Sequence, residues 1–331
     1  MIEFPTTRAA LIQLATGRSV RAGGTDLQER RHLGLATGPL ADLRDLAELD
    51  TIAVQAGALT LGSRVRVAAV AADANVAQHW PGLAAAAGGL ATPQIRNVAT
   101  VGGNLLQSVR CWYFRRPGAR CFQAGGNSCD ARSGDHSLHA CVDLGPCLAP
   151  HPSTLAVALL AYEAQVAVAG APAPADAGAT AAGWPIAALY GDGSDPTRTH
   201  RLPPGGVLLG VQVPAALANE RAAFHRTSSR ARGEWPIAEA VVRVVVQDGA
   251  IRFARVAVGG VANIPLRLPA VEQHLLAQPP TPALLRAAAD LAGAGARPPA
   301  GAAHKLQILR ATVHTALERA LAQPDSKDRQ Q

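Results

Sequence analysis

Hydrophobic and polar positions in the first half of the chain follow helical and strand-like spacing in turn. The segment Thr6–Thr16 places its apolar residues on one helical face, starts with threonines that suit an N-cap, and is followed by Gly17. The segment Arg64–Ala72 fits a helix and a strand equally well. The other predicted elements are a strand at Ser19–Ala22, a hairpin of Thr51–Val54 and Leu59–Gly62, and a helix at Pro81–Gly89.

The second half begins with similar alternation and then changes character. A helix is predicted at Leu155–Glu163, strands at Val166–Ala169 and Val207–Val213, and a low-complexity surface loop at 170–183. Beyond Ala222 the predicted elements are a segment Ile237–Gln247 that starts helix-like, a strand at Ile251–Val258, and helices at Val271–Leu276, Pro282–Ala292 and His304–Leu321. The change predicts two domains, 1–218 and 219–322, followed by a disordered polar tail, 323–331.

Two glycine-rich stretches lack regular periodicity. The strand at Ser19–Ala22 runs directly into Gly23-Gly24-Thr25-Asp26, where the backbone can approach an anion and successive N–H groups can form an anion-binding nest. A simple turn is the alternative. The segment Ala91–Asn104 contains Pro93 and a second Gly-Gly pair, and its backbone needs a polar partner if it is buried. A shared phosphate-bearing cofactor would explain both stretches.

Composition excludes several classes of function. The chain has 331 residues with a net charge of +7, but its arginines are scattered and form no basic run, so nucleic acid is not expected as a partner. A solvated basic surface with a docking face for another protein fits better. No apolar stretch of about eighteen residues is present, so no membrane span is expected.

All five cysteines lie between Cys111 and Cys147. A disulfide framework would spread its cysteines over the fold, so this clustering favours a metal site. The alternatives are buried hydrophobic cysteines and a zinc site, although no C-x-x-C pair supports zinc.

Three motifs, in order and at matching separations, resemble one known family. RAGGTDL (21–27), QIRNVATVGGN (94–104) and VGGVANIPLR (258–267) resemble the FAD-binding medium subunit of the xanthine oxidase family of molybdenum hydroxylases. The resemblance covers nearly the whole chain. It implies an α+β fold, in which a two-part FAD-binding domain of the PCMH/VAO type precedes a C-terminal domain of a small antiparallel sheet packed with helices.

The resemblance also implies which residues bind FAD. Both Gly-Gly loops would hold the pyrophosphate through backbone N–H groups, a Thr hydroxyl and an Asn amide. Asp26 would fix its own turn through its side chain rather than touch the anion. Thr154 and Arg226 stand where the family often has Asp and Lys. The implied FAD-binding residues are Ala22, Gly23, Gly24, Thr25, Asp26, Leu27, Asn97, Thr100, Gly102, Gly103, Asn104, Ser153, Leu208 and Arg226.

The cysteine-bearing segment, about 105–152, resembles an insertion found in the subgroup whose flavin subunit carries a [4Fe–4S] cluster. That subgroup includes bacterial periplasmic aldehyde oxidoreductases. Such a cluster needs four thiolates. The positions that match the ligands of the subgroup are Cys111, Cys121, Cys129 and Cys147. Cys141 is the extra cysteine and is expected to be buried and unligated.

The implied function is electron transfer within a heterotrimer. A large subunit would hold the molybdenum cofactor and oxidise the substrate, for which an aromatic aldehyde is the expectation, and a small subunit would hold two [2Fe–2S] clusters. Electrons would leave the FAD on this chain for an external acceptor. The alternatives are a stand-alone FAD-dependent oxidoreductase and a docking subunit without cofactor. The sequence does not decide between the cytoplasm and a periplasm reached by co-export with a partner.

Overall fold

A small parallel sheet begins the chain. The computed structural model describes residues 1–180, 183–230 and 233–322. The sheet has the order β1-β3-β2, in which β1 is Ile2–Glu3, β2 is Ser19–Arg21 and β3 is Leu40–Asp42. Helix α1, Arg8–Ala15, connects β1 to β2 and is capped by the Thr7 hydroxyl, which accepts a hydrogen bond from the Ala10 N–H. The helix predicted at Thr6–Thr16 is therefore confirmed, one to two residues shorter at each end.

A five-stranded antiparallel sheet forms the centre of the N-terminal part of the chain, with the order β4-β5-β8-β6-β7. Its strands are β4 (Ile52–Gln55), β5 (Ala58–Gly62), β6 (Gln165–Ala169), β7 (Trp184–Pro185) and β8 (Val207–Val213). The predicted hairpin is β4–β5, in register from Ile52↔Leu61 to Gln55↔Ala58. The helices of this half are α2 (Leu27–His32), α3 (Val67–Ala72), α4 (Ala74–His79), α5 (Pro81–Gly89), α6 (Pro93–Arg96), α7 (Val101–Leu105), α8 (Thr154–Ala161) and α9 (Ile186–Tyr190).

A four-stranded antiparallel sheet, ordered β12-β11-β10-β9, forms the last third of the chain. Its strands are β9 (Glu220–Thr227), β10 (Ala238–Gln247), β11 (Ala250–Gly259) and β12 (Leu266–Arg267). Three helices accompany it: α10 (Pro269–Leu275), α11 (Pro282–Asp290) and α12 (Lys305–Leu321). The long helix α12 packs on β9 and β10, and buried aliphatic side chains fill the space between helix and sheet.

These layers confirm the predicted α+β class, but two local predictions were wrong. Residues 237–247 do not start as a helix, because β10 is paired over its full length by β9 on one side and β11 on the other. The segment Ala91–Asn104 is not irregular, since it contains α6 and α7, capped by the side chains of Thr92 and Thr100. The predicted tail, 323–331, and two positions of the predicted 170–183 loop lie outside the described residues.

The cysteine-bearing insertion joins the two halves. It leaves α7 beside the first glycine loop and returns to α8, with short 3₁₀ turns at Phe122–Ala124 and Asp130–Arg132. Its second half lies on the C-terminal sheet, where the N–H groups of Cys141 and Val142 both donate to the Val261 carbonyl at 2.9 Å. The insertion thus contacts the C-terminal part of the chain as well as the N-terminal part. No helix in the described part of the chain has both the length and the apolarity that crossing a membrane requires.

Candidate functional site: a two-part cleft and a pocket of four cysteines

The first glycine loop presents a run of free backbone donors to a cleft of about 740 Å³. Among the described residues, none accepts a hydrogen bond from the backbone N–H groups of Gly23, Gly24, Thr25, Asp26 or Leu27. Ser63 lines the same cleft, and its hydroxyl is buried and has no partner in the described structure. Polar groups left unpaired in this way are costly unless a ligand satisfies them, and their spacing suits an anion.

Each glycine of this loop is required for a different physical reason. A Cβ on Gly23 would lie 2.0 Å from the Val98 carbonyl oxygen, so only glycine allows the first loop to touch the segment before α7. Gly24 has a φ of +71°, a left-handed conformation that side chains disfavour. The loop therefore depends on one glycine for contact and on the other for its turn.

The second Gly-Gly pair uses its backbone differently. Gly102 donates its N–H to the Ser63 carbonyl at 2.9 Å, and Gly103 donates to the Thr100 hydroxyl oxygen at 3.2 Å. These N–H groups are already satisfied inside the protein. They are therefore less free for an anion than the N–H groups of the first loop, and the expectation that the second loop also holds the anion through its backbone stays a prediction.

Asn104 offers a side-chain donor in their place. Its Oδ1 accepts hydrogen bonds from the Ser153 hydroxyl at 2.7 Å and from the Leu155 N–H at 3.3 Å. These bonds fix the orientation of the amide. Its NH₂ group makes no hydrogen bond among the described residues, and Asn104 lines a second cleft of about 880 Å³. Ser153 does not line either cleft and acts through Asn104.

The two clefts adjoin, because both are lined by Thr25, Asp26, Gly103 and Gln107. Arg226 lines the second cleft and donates to the Gly89 carbonyl at 2.9 Å. Thr154 lines it too, and its hydroxyl donates to the buried Glu239 carboxylate at 2.9 Å. Burial raises the pKa of Glu239 to about 7, opposed by the Arg226 charge and the Thr154 hydrogen bond.

The structure brings most of the predicted FAD-binding residues to this two-part cleft. Those that line it are Ala22, Gly23, Gly24, Thr25, Asp26, Leu27, Thr100, Gly102, Gly103, Asn104, Leu208 and Arg226. Asn97 does not line it and lies exposed at the end of α6. The role of each residue in binding FAD stays a prediction.

Asp26 was expected to fix its own turn, but its side chain makes no capping bond to α2. Instead it reaches the insertion, where it accepts a hydrogen bond from the Ser108 N–H at 3.1 Å and pairs with Arg110 and Arg115. Burial opposes ionisation of this carboxyl, but the two guanidiniums outweigh it and hold the pKa of Asp26 below its usual range. Asp26 therefore links the first loop to the cysteine-bearing segment.

Four of the five cysteines line one small pocket of about 280 Å³, together with apolar side chains such as Val109 and Phe114. The four are Cys111, Cys121, Cys129 and Cys147, as the sequence predicted for a cluster. Cys141 is fully buried elsewhere, in the core between the C-terminal sheet and its helices. This placement agrees with its expected burial.

The environments of these sulfurs differ. Burial raises the pKa of the Cys111 thiol to about 11. The interaction between the thiols of Cys129 and Cys147 lowers the pKa of Cys129 to about 5 and raises that of Cys147. The thiolate is the form in which cysteine binds metal.

A single ion is nevertheless not accommodated. In residues 1–180, 183–230 and 233–322, no group of three or more His, Cys, Asp or Glu side chains converges closely enough to hold a metal ion. A cubane cluster differs from a single ion, because each thiolate binds its own iron and the sulfurs stand apart. The donor types fit such a cluster, and its presence is a matter for the proposal below.

Sequence reasoning missed several residues of the site. Ser63, Gln107 and Glu239 lie outside the matched motifs, and nothing in their local pattern marks them. Glu239 alone had a weak signal, as an acidic residue within a run of small and β-branched residues. His139, whose Nε2 lies 3.2 Å from the Cys111 sulfur, was also missed.

The comparisons with known proteins agree with the fold and the clefts. The chain matches the family model described as FAD binding domain in molybdopterin dehydrogenase over residues 5–216, and that of the CO dehydrogenase flavoprotein C-terminal domain over 223–322. The chain therefore belongs to the FAD-binding subunits of the molybdopterin dehydrogenase family. This confirms the resemblance to the medium subunit of the xanthine oxidase family.

Individual relatives of known name are similar to this chain in sequence. The chain is 31% identical, over 97% of both chains, to the aldehyde oxidoreductase FAD-binding subunit PaoB of Escherichia coli K12. A xanthine dehydrogenase FAD-binding subunit of Escherichia coli O157:H7 is 42% identical over 86 residues, which are 25% of this chain and 30% of that one.

Solved structures show the same fold at lower identity. A Cu,Mo-CO dehydrogenase chain aligns with a TM-score of 0.73 at 20% identity, covering 97% of each chain. Quinoline 2-oxidoreductase from Pseudomonas putida 86 aligns with a TM-score of 0.71 at 20% identity, covering 96% of this chain and 95% of that one. At such identities the likeness shows the fold alone.

Proposed function

We propose that this chain is the FAD-binding electron-transfer subunit of a heterotrimeric, molybdenum-containing aldehyde oxidoreductase. The observation that carries the proposal is the run of five unpaired N–H groups from Gly23 to Leu27, beside the unpaired Ser63 hydroxyl. A diphosphate supplies the acceptor oxygens that these donors lack. The aldehyde part is supported by full-length similarity to PaoB, whose name gives that role.

The residues that would hold FAD divide between the two clefts. In the first, the N–H groups of residues 23–27 and the Ser63 hydroxyl would hold the diphosphate, with Leu208 on the wall. In the second, the Asn104 amide and Arg226 would orient the flavin end. When bound, FAD supplies a carrier that takes two electrons and releases them singly or in pairs.

The four-cysteine pocket supports a [4Fe–4S] cluster bound by Cys111, Cys121, Cys129 and Cys147. Four thiols that line one largely apolar pocket match the chemistry of that cluster. The insertion also lies next to the FAD side of the fold, since Asp26 bonds to Ser108 and Arg115. The cluster would thus lie near the flavin.

The partners follow from the same proposal. A large subunit would hold the molybdenum cofactor and the active site for the aldehyde, and a small subunit would hold two [2Fe–2S] clusters. This chain would pass their electrons to an external acceptor. Residues 1–218 would form the FAD-binding domain and residues 219–322 the C-terminal domain.

A spectrum of the purified full chain, with FAD, iron and sulfide quantified, tests the proposal. Flavin bands with a broad cluster shoulder are expected, and aldehyde oxidation is expected only when the partners are present. Absence of flavin would favour the docking subunit, and aldehyde oxidation by the chain alone would favour a stand-alone enzyme.

A matched pair of variants tests the ligand set. Cys147→Ser removes one thiolate from the pocket, so we expect loss of the cluster or its conversion to a three-iron form. Cys141→Ser changes a thiol that is buried away from the pocket and is expected to keep full iron content. Iron loss in the Cys141 variant alone would overturn the assignment.

A further inference from the structure

The His139 side chain makes a contact that no part of the function above uses. Its Nε2 atom lies 3.2 Å from the Cys111 sulfur, and the residue is 1% exposed. Resting on the cluster proposed above, we infer that His139 is a positioning residue that donates a hydrogen bond to the Cys111 thiolate and raises the reduction potential of the cluster.

The chemistry of the two partners sets the direction of this hydrogen bond. A metal-bound thiolate has no proton to give, so the imidazole must donate and Nε2 must carry the hydrogen. The other ring nitrogen, Nδ1, is buried and has no partner among the described residues. A bare lone pair at Nδ1 costs less there than a buried, unpaired N–H, so the same tautomer satisfies both ends of the ring.

Several contacts hold the imidazole in place. The Trp112 ring packs edge-on against it, with centroids 4.6 Å apart and planes at 84°. The backbone carbonyl of His139 accepts a hydrogen bond from the buried ammonium of Lys305 at 2.8 Å, and Lys305 also donates to the Gly260 carbonyl at 2.7 Å. The C-terminal part of the fold, through helix α12 and the end of β11, therefore fixes the ring position.

Among the described residues, Cys111 is the one of the four cysteines whose sulfur has a hydrogen bond to a side chain other than a thiol, the His139 ring. Reduction adds negative charge to the sulfurs, so an extra donor stabilises the reduced cluster more than the oxidised one.

The test compares two substitutions in the full chain, purified without oxygen. His139→Phe keeps a ring of similar size but has no donor, and His139→Gln keeps an amide N–H that can reach the sulfur. In an EPR-monitored redox titration, we expect the Phe variant to shift the cluster midpoint to lower potential and the Gln variant to restore most of that shift. Equal midpoints in wild type and the Phe variant, with full iron content in both, would overturn the inference.

A second measurement uses the unsubstituted chain, in case the variants fail to assemble the cluster. Protein labelled with [¹⁵N]histidine should show a ¹⁵N coupling to the reduced cluster in pulsed EPR, because the hydrogen bond carries spin density to Nε2. A cluster signal without that coupling overturns the role of His139 but leaves the proposed function standing. Wild-type protein that contains no iron overturns the proposed cluster, and this inference with it.

Discussion

The two Gly-Gly pairs have the same sequence signature but opposite uses of their backbone. At Gly23-Gly24 and the residues that follow, the N–H groups are unpaired and face a cleft, whereas at Gly102-Gly103 they are satisfied by Ser63 and Thr100. The first pair is therefore shaped for a ligand, and Gly102 for close packing. A glycine pair in a sequence shows that a backbone must come close to something, but it does not show whether that is a ligand or another part of the chain.

Ser63 is the point where the two uses meet. Its carbonyl accepts the Gly102 N–H at 2.9 Å, and its hydroxyl, buried beside the first cleft, has no partner among the described residues. One residue thus holds the second pair in place and offers a donor beside the first. Five substitutions, given in order of decreasing expected effect, would break or sharpen this contrast.

Gly23→Ala should have the largest effect. Its Cβ would lie 2.0 Å from the Val98 carbonyl oxygen, so the two loops must separate. We expect FAD to be lost and stability to fall by at least the ~1–3 kcal/mol typical of overpacking. Chemical unfolding and flavin content measure this, with Gly88→Ala as the control for an added methyl group without a clash, since its Cβ would meet only the Ala71 Cβ at 3.8 Å. Wild-type flavin content in the Gly23 variant would show that the loops need not touch.

Glu239→Gln tests whether the Glu239 carboxyl, which accepts a hydrogen bond from Thr154, makes the stability of the protein depend on pH near neutrality. Because burial raises the pKa of Glu239 to about 7, the folded state keeps a proton that the unfolded state loses above its ordinary pKa of 4.5. Stability should therefore be highest below about pH 4.5, fall as pH rises towards 7, and then level off. The fall due to this group is on the order of 3 kcal/mol.

Urea unfolding of the FAD-free protein between pH 5 and pH 8 measures this fall. Glu239→Gln should remove that part of the slope whatever its effect at a single pH. Identical slopes in wild type and variant would mean that the carboxyl is ionised throughout and well paired with Arg226.

Gly102→Ala and Gly103→Val separate the two roles within the second pair. A Cβ on Gly102 would meet the Ser63 Cβ at 2.9 Å, so we expect a loss of ~1–2 kcal/mol in stability. A Cβ on Gly103 meets only the Thr100 hydroxyl at 3.1 Å and lies where the two clefts join, so Val there should lower FAD content with little effect on the C-terminal part. Full FAD occupancy in the Gly103 variant would remove this loop from the binding site.

Ser63→Ala should have the smallest effect and the most specific one. The backbone carbonyl that holds Gly102 is unchanged, so the FAD-free protein should keep its stability. Loss of one hydrogen bond to the ligand should weaken FAD binding by about 1 kcal/mol, roughly fivefold. Isothermal titration of the FAD-free protein measures it, and unchanged affinity would show that the hydroxyl does not face the diphosphate.

Local pattern was enough wherever a segment is decided by its own residues. The helix at Pro81–Gly89 and the strand at Val207–Val213 occur with the predicted bounds. Prediction failed where neighbours decide the structure. Strand β10 begins with residues that suit a helix, and pairing with β9 and β11 overrides that preference.

The sequence by itself determined the family, the glycine loops and the four cysteines that share a pocket, because these depend on residue types at characteristic separations. Only the tertiary structure decided that the Gly102 N–H has a partner, since it bonds to Ser63 in a distant segment, whereas the bond of Gly103 to Thr100 is a local helix cap. The same holds for Asp26, which looked like a turn residue and bonds instead to Ser108, 82 positions away. Such contacts arise from the packing of distant segments, and no local pattern encodes them.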